Sequence, residues 1–272
     1  MADLVHFHQE DDVVTLTLDR PGRGNALVPE LLAELRGGLA RAAGQTPAAL
    51  VLAGKGRAFS AGGDVAAFHG HAGNRDELLR YAAEVVGELN GAILDLLAFP
   101  APVLAAVNGA VTGGSTGLVL ASDIVVMSER AFLQPYYGEM GFAPDGGWTA
   151  LMPERIGAAR ALEVQYLNAR LSAPACLDLG LAGAVCAPEV LAAAVAERLA
   201  TLRRMDRETL RTTRAHVWNG ERRTRIAAAL EEERQAFLRL VVRPETLARM
   251  KTFLGRESAA GSADKAQTQQ QV

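Results

Sequence analysis

Cysteine is nearly absent from this chain of 272 residues: Cys176 and Cys186 are the two it has. Both stand in apolar company without metal-ligand spacing, so two buried, reduced thiols are expected rather than a disulfide framework or a zinc site. Charge of one sign is lacking as well. Lys and Arg together number 28 against 31 Asp and Glu, a net charge of -3, so there is no basic field of the kind that gathers nucleic acid. No run reaches the roughly 18 uninterrupted apolar residues of a membrane span; Asn, Gly, Ser or a charge breaks the longest ones. Residues 1–9 lack the basic-then-apolar build of a signal peptide. A cytoplasmic protein with neither nucleic acid nor membrane as a partner is expected.

What is present is ample apolar material. It makes up 49% of the chain, against 22% charged residues, enough for one large core or a core with a helical appendix. Residues 13–18 alternate at period two and stop at Asp19-Arg20-Pro21-Gly22, a strand and a turn. A helical pattern covers 29–43, with Pro29 in its first turn. Short buried strands are predicted at 49–53, 103–107 and 124–127, with a long helix at 77–97 before the breakers Pro100 and Pro102. Strands alternating with helices predict an α/β domain whose strands are largely parallel and buried. From residue 189 onward the character changes, and helices are predicted at 189–202, 207–218, 222–242 and 245–254. Residues 258–272, ending Gln-Thr-Gln-Gln-Gln-Val, have the composition of a disordered tail. The division expected is a core over 1–200, a helical region over 201–257 and the tail.

Two glycine-rich loops carry the chemistry. The first is Gly56-Arg57-Ala58-Phe59-Ser60-Ala61-Gly62-Gly63-Asp64, and the second runs from Val107-Asn108-Gly109 to Gly113-Gly114-Ser115-Thr116-Gly117. Adjacent glycines after a buried strand let the backbone turn sharply and bring N–H groups against a ligand. A helix starting at Gly113-Gly114 would add the positive end of its dipole. Two such amides converging on one point would hold a developing oxyanion. Neither loop has the spacing of a dinucleotide-binding or P-loop motif. Turning the chain is the competing role of these glycines, and capping a helix is the expected role of Asp64.

This pair of loops, in this order, resembles the crotonase (enoyl-CoA hydratase/isomerase) superfamily. Supporting segments are Leu18-Asp19-Arg20-Pro21, Asn25-Ala26-Leu27, Pro102-Val103-Leu104-Ala105-Ala106-Val107, Ala121-Ser122-Asp123, Pro144-Asp145-Gly146-Gly147 and Arg155-Ile156-Gly157. The resemblance spans about residues 13–253. It implies an α/β fold, a spiral of ββα turns with a C-terminal helical region that trimerises, as a homotrimer or a dimer of trimers. It also implies an acyl-CoA substrate, with no cofactor beyond the coenzyme A that the substrate brings, no metal, and the two oxyanion amides on Gly63 and Gly114.

The pattern also breaks. Hydratases of the superfamily use two glutamates, and at those positions this chain has Gly117 and Tyr137, with Tyr136 beside the latter. Hydration of the usual kind loses its general acid and base. Asp145 matches an aspartate that acts in dienoyl-CoA isomerases and in the ring isomerases of phenylacetate breakdown. The resemblance therefore implies an isomerase that moves a C=C bond through an enolate, with Gly63, Gly114 and Asp145 as catalytic residues. Capping a helix after Gly147 is the competing role for Asp145. Alternatives are an atypical hydratase using Asp145 or Glu139, and a non-catalytic acyl-CoA-binding protein. An aryl-CoA dehalogenase would expect a tryptophan near Tyr137 and a histidine near Asn90, and has neither. Arg23, Ala61, Tyr136, Tyr137, Lys251 and Phe253 are candidate substrate contacts. His69-Gly70-His71 has no third ligand signal, and exposed loop histidines beside the acyl pocket are expected there.

Overall fold

The computed structural model describes residues 3–269, with side-chain surroundings as far as residue 256. Ten strands form two sheets. They are β1 Val5–Glu10, β2 Val13–Leu18, β3 Ala49–Gly54, β4 Ala58–Ser60, β5 Val103–Val107, β6 Ala110–Thr112, β7 Ile124–Ser128, β8 Phe132–Gln134, β9 Leu171–Ser172 and β10 Ala184–Cys186. The larger sheet has the order β1-β2-β3-β5-β7-β10 and the smaller β4-β6-β8-β9. Only the outer pairs β1–β2 and β8–β9 are antiparallel. As the chain advances from β3 to β5 to β7 in one sheet, it steps from β4 to β6 to β8 in the other. Repeated strand, strand, helix turns thus wind into a spiral.

The helices are α1 Pro29–Gly44, α2 Val65–Gly70, α3 Arg75–Leu97, α4 Thr116–Leu120, α5 Tyr137–Met140, α6 Met152–Ile156, α7 Ala158–Tyr166, α8 Ala173–Asp178, α9 Leu191–Arg203, α10 Arg207–Val217, α11 Gly220–Val241 and α12 Pro244–Gln269. Strand alternation sorts the core into two faces. Val14, Leu16, Leu50 and Leu52 join the main core with α1 and α3, while Val13, Ala49, Val51, Leu104 and Val126 pack with Val195 of α9. Both faces of the large sheet are therefore covered, and the strands read as continuous apolar runs for that reason.

Local chemistry explains where the predicted elements moved. Asn74 accepts from the amides of Asp76 and Glu77 at 3.0 and 3.3 Å, so α3 begins two residues before the apolar pattern does. Residues 65–70 form α2 rather than loop, because Asp64 caps it by accepting from Ala67 N at 3.1 Å. His69 and His71 are accordingly half-buried, not exposed on a loop, and the His71 ring stacks on Tyr81 with centroids 4.5 Å apart. Cys176 is buried and Cys186 half-buried, both as free thiols. The helix expected directly after Gly147 starts instead at Met152. The C-terminal helices α9 to α12 follow the predicted pattern, with α11 lying along α3 and α12 against α2 and α5. The expectation of a disordered tail falls on residues whose side chains lie outside those described; the backbone is helical as far as Gln269. Among the described residues, no helix is long and apolar enough to cross a membrane.

Candidate active site

The two glycine loops meet backbone to backbone. Gly62 has φ +76°, and a Cβ there would lie 2.5 Å from the carbonyl oxygen of Thr112, an approach that only glycine allows. Asn25 braces the first loop by donating to the carbonyls of Lys55, Ala58 and Phe59 at 3.0 to 3.1 Å. Ser115 Oγ donates toward Ser60 O at 3.1 Å and Thr112 O at 2.8 Å, tying the loops together. On the first loop, Leu27 N donates to Gly62 O and Asp64 N to Leu27 O, so these ladder bonds flank the Gly63 amide without using it. On the second, a 3-10 turn at Gly113–Ser115 runs into α4, and the first amides of a helix have no preceding turn to bond.

Gly63 and Gly114 line one cavity of about 270 Å³. Ala61, Tyr136, Tyr137, Asp145 and Phe253 line it too, so seven of the sequence candidates come together. The remaining wall is apolar, with Phe68, Phe142 and Phe237 in mutual ring contact. Arg23 borders an adjoining depression of about 320 Å³ that shares Ala61, Gly63 and Phe253. Lys251 is exposed on α12 and lines neither space. Glu139 is also exposed; its carboxylate accepts from Asn168 Nδ2 at 2.7 Å and is not in the cavity wall.

Asp145 does not cap a helix. Its carboxyl is buried against the second loop, so close that a Cβ on Gly114 would lie 2.7 Å from Oδ1. Tyr137 Oη donates its one hydrogen to that oxygen at 2.5 Å, with the Asp145 carbonyl oxygen also within reach at 3.0 Å. Burial pushes the Asp145 carboxyl up to about 7; the Tyr137 hydrogen bond pulls it down and the negative charge of Glu233 pushes it up. Burial, with Asp145 next to it, holds the Tyr137 phenol well above its ordinary 10, so Tyr137 remains the donor.

Three residues that hold this arrangement escaped the sequence reading. Glu233 of α11 is buried and accepts from the amides of Gly147, Thr149 and Ala150 and from Thr149 Oγ1, at 2.6 to 2.9 Å. A signal for it exists: Glu233 falls in the apolar stripe Ile226, Leu230, Phe237 and Val241 at helical spacing. Trp148 Nε1 donates to Gly113 O at 2.8 Å, clamping the second loop from the Asp145 side. Asn168 Oδ1 accepts from Tyr136 N at 2.8 Å, across 32 residues of chain, and no local pattern announces that.

A model of the enoyl-CoA hydratase/isomerase family matches residues 8–258. The chain belongs to this family. A 1,2-epoxyphenylacetyl-CoA isomerase of Escherichia coli is 34% identical over 194 residues, covering 71% of this chain and 73% of that one. A probable enoyl-CoA hydratase of Rhodobacter capsulatus is 33% identical over 177 residues, 65% of this chain and 66% of that one. The fold is that of solved members: the enoyl-CoA hydratase of Bacillus halodurans superposes with a TM-score of 0.85 at 23% identity, over 92% of this chain and 99% of that chain. Family members thus carry both names, hydratase and isomerase.

At the two positions where the resemblance expects the hydratases' glutamates, the structure leaves little space for one. A Cβ on Gly117 would lie 2.3 Å from Gly146 O and 2.4 Å from Ile93 Cδ1. The other position holds the Tyr137 phenol, already engaged with Asp145. Asn90, where a dehalogenase would have histidine, donates to Leu230 O at 3.0 Å between α3 and α11.

Proposed function

We propose that this protein is an acyl-CoA thioester isomerase that shifts a C=C bond through an enolate. The observation that carries this reading is Asp145, the one carboxyl in the cavity wall among the described residues, touching the Gly114 turn. In the proposed reaction the thioester oxygen sits between the amides of Gly63 and Gly114. Holding that oxygen makes a proton of the acyl chain acidic, because the electrons of the broken C–H bond end on an oxygen already met by two donors. Asp145 takes the proton and returns it to a different carbon, leaving the carboxylate as it began and the double bond moved. One carboxyl titrating near neutrality suits both halves of this exchange. Coenzyme A comes as part of the substrate, and proton transfer of this kind asks for no metal or redox partner.

Support comes from what the cavity omits. Hydration needs a water held and deprotonated by one group while another protonates carbon, and the two customary positions are Gly117 and Tyr137. The test is Asp145→Asn, which keeps the size of the side chain and its place as an acceptor for Tyr137. Double-bond migration should fall by at least about 100-fold while the affinity for a CoA thioester changes little. Retained turnover would remove Asp145 from the chemistry. A wild-type protein that binds CoA esters and converts none would be a binding protein instead.

The same reading includes self-association as a homotrimer or a dimer of trimers. Apolar side chains left at the surface of α7 and just after it support it, with Tyr166 79% and Leu167 70% exposed. Sedimentation equilibrium of the full chain checks this, and a monomer at micromolar concentration would refute it.

A further inference from the structure

Tyr137 looks at first like another wall residue for the acyl group. Its hydroxyl is not available for that. Its one hydrogen is engaged with Asp145, with Oδ1 at 2.5 Å and the carbonyl oxygen at 3.0 Å, in a buried setting. The other carboxyl oxygen, Oδ2, accepts no side-chain hydrogen bond among the described residues.

The backbone is arranged to produce this contact. Tyr136, a residue with a Cβ, is in the left-handed region at φ 62° and ψ -7°. A side-chain-bearing residue persists there only when its surroundings over-determine it. Asn168 does so by accepting the Tyr136 amide at 2.8 Å, while its own Nδ2 donates to Glu139 at 2.7 Å. The reversal at Tyr136 turns the first residue of α5 inward, and Gly141, also left-handed, closes the helix after one turn. From the other side Glu233 holds Gly147, Thr149 and Ala150. Asp145 is thus gripped between α5 and α11.

From this geometry we infer that Tyr137 is a positioning residue: it occupies one oxygen of Asp145 and leaves the other, Oδ2, to take and return the substrate proton. The inference rests on the isomerase reading for its consequence in turnover but not for the contact itself. A carboxyl with two equivalent free oxygens rotates and spreads the proton over both. With Oδ1 fixed, a single oxygen meets both carbon atoms of the acyl chain in turn. The same bond favours the ionised carboxyl and so sets how much of Asp145 is in the base form at neutral pH. The residue in the place of the missing second acid therefore tunes the remaining one.

The charged and titratable groups acting on Asp145 are few. Tyr137 faces it from α5, and Glu233 acts on it from α11. Among the described residues, the neighbours it meets at the Gly114 turn include the apolar Leu89. A change made at Tyr137 is therefore read at Asp145 against the charge of Glu233, which the change leaves in place.

The experiment is carbon-13 NMR of the full-length protein, following the Asp145 carboxyl through a pH titration, its resonance identified by its loss in Asp145→Asn. Tyr137→Phe should raise the Asp145 midpoint above the wild-type value, because the donor that stabilised the anion is gone. Difluorotyrosine in place of Tyr137, a stronger donor of nearly the same shape, should lower it, and this second variant covers the case in which the first does not fold. With a substrate in hand, Tyr137→Phe should lower kcat about tenfold to 100-fold with KM changed only a few-fold, and move the pH profile of kcat to the alkaline side. A midpoint that stays in place in both variants overturns the inference, whatever the protein's activity. Shifted midpoints in a protein that moves no double bond would sink the isomerase reading and leave the contact standing.

Discussion

At neutral pH the buried carboxyl of Asp145 costs the fold stability. Its carboxyl ionises near 3.8 in an unfolded chain and near 7 in the native protein. Below the lower value both states hold the proton and there is no penalty. As the pH rises through that window the unfolded chain ionises while the native protein must stay neutral, and the unfolded state gains. Above the upper value the penalty is complete, of the order of 4 kcal/mol. Asp145→Asn should therefore raise the melting temperature at about pH 8 and change it little near pH 4, measured by calorimetry. Equal effects at both would mean that the carboxyl is not desolvated. Gly117 gives a second prediction at this scale. With Gly146 O and Ile93 within 2.4 Å of a built Cβ, Gly117→Glu should destabilise the protein by about 3 kcal/mol and supply no hydratase activity. A stable, hydrating variant would show that the loop yields.

Among the elements, α11 matters most for the site, because Glu233 reaches from it to the loop that carries Asp145. In Glu233→Gln one amide nitrogen must face an N–H that formerly met an oxygen, so at least one of the four bonds is lost. The negative charge that raised Asp145 is lost with it, so the Asp145 midpoint should move down. Turnover should become less steeply dependent on pH near neutrality, and an unmoved midpoint would contradict the role given to this helix. The long elements were legible because their signals are local: period two in β2, an apolar stripe in α3, Pro29 opening α1. The two loops were legible as adjacent glycines, and Asp145 through its Gly-Gly context. Contacts between distant parts left no local trace. From sequence Tyr137 is a candidate substrate contact; its bond to Asp145 exists only once α5 has turned, and α5 depends on Asn168. Glu233 stood in view within its apolar stripe, but a run of three glutamates reads as a solvated face.

For the molecule as a whole, the helices that follow the spiral are joined to it through buried polar contacts as well as apolar ones. Arg214 of α10 is buried; it bonds Asp123 Oδ2 at 2.7 Å and the carbonyls of Leu96, Leu97 and Phe99 at the end of α3 at 2.5 to 3.0 Å. Arg214→Leu leaves three carbonyls and a carboxylate without this partner and should cost about 3 kcal/mol in urea unfolding. A loss under about 1 kcal/mol would mean that the C-terminal helices are held by apolar packing alone. That attachment bears on function, since α11 and α12 bring Glu233, Phe237 and Phe253 to the site. The spiral brings the two glycine loops, α5 brings Tyr137, and among the described residues the cavity they share is lined by one carboxyl, Asp145, the proposed proton carrier. Incubating the purified protein with 2-enoyl-, 3-enoyl- and dienoyl-CoA esters in heavy water, read by mass spectrometry, tests that most directly. Deuterium entering the acyl chain of at least one ester, with its double bond moved and no water added, is the expected result. A hydroxyacyl-CoA product would contradict it, because a second acid–base group would then be acting where Gly117 and Tyr137 leave no room for one.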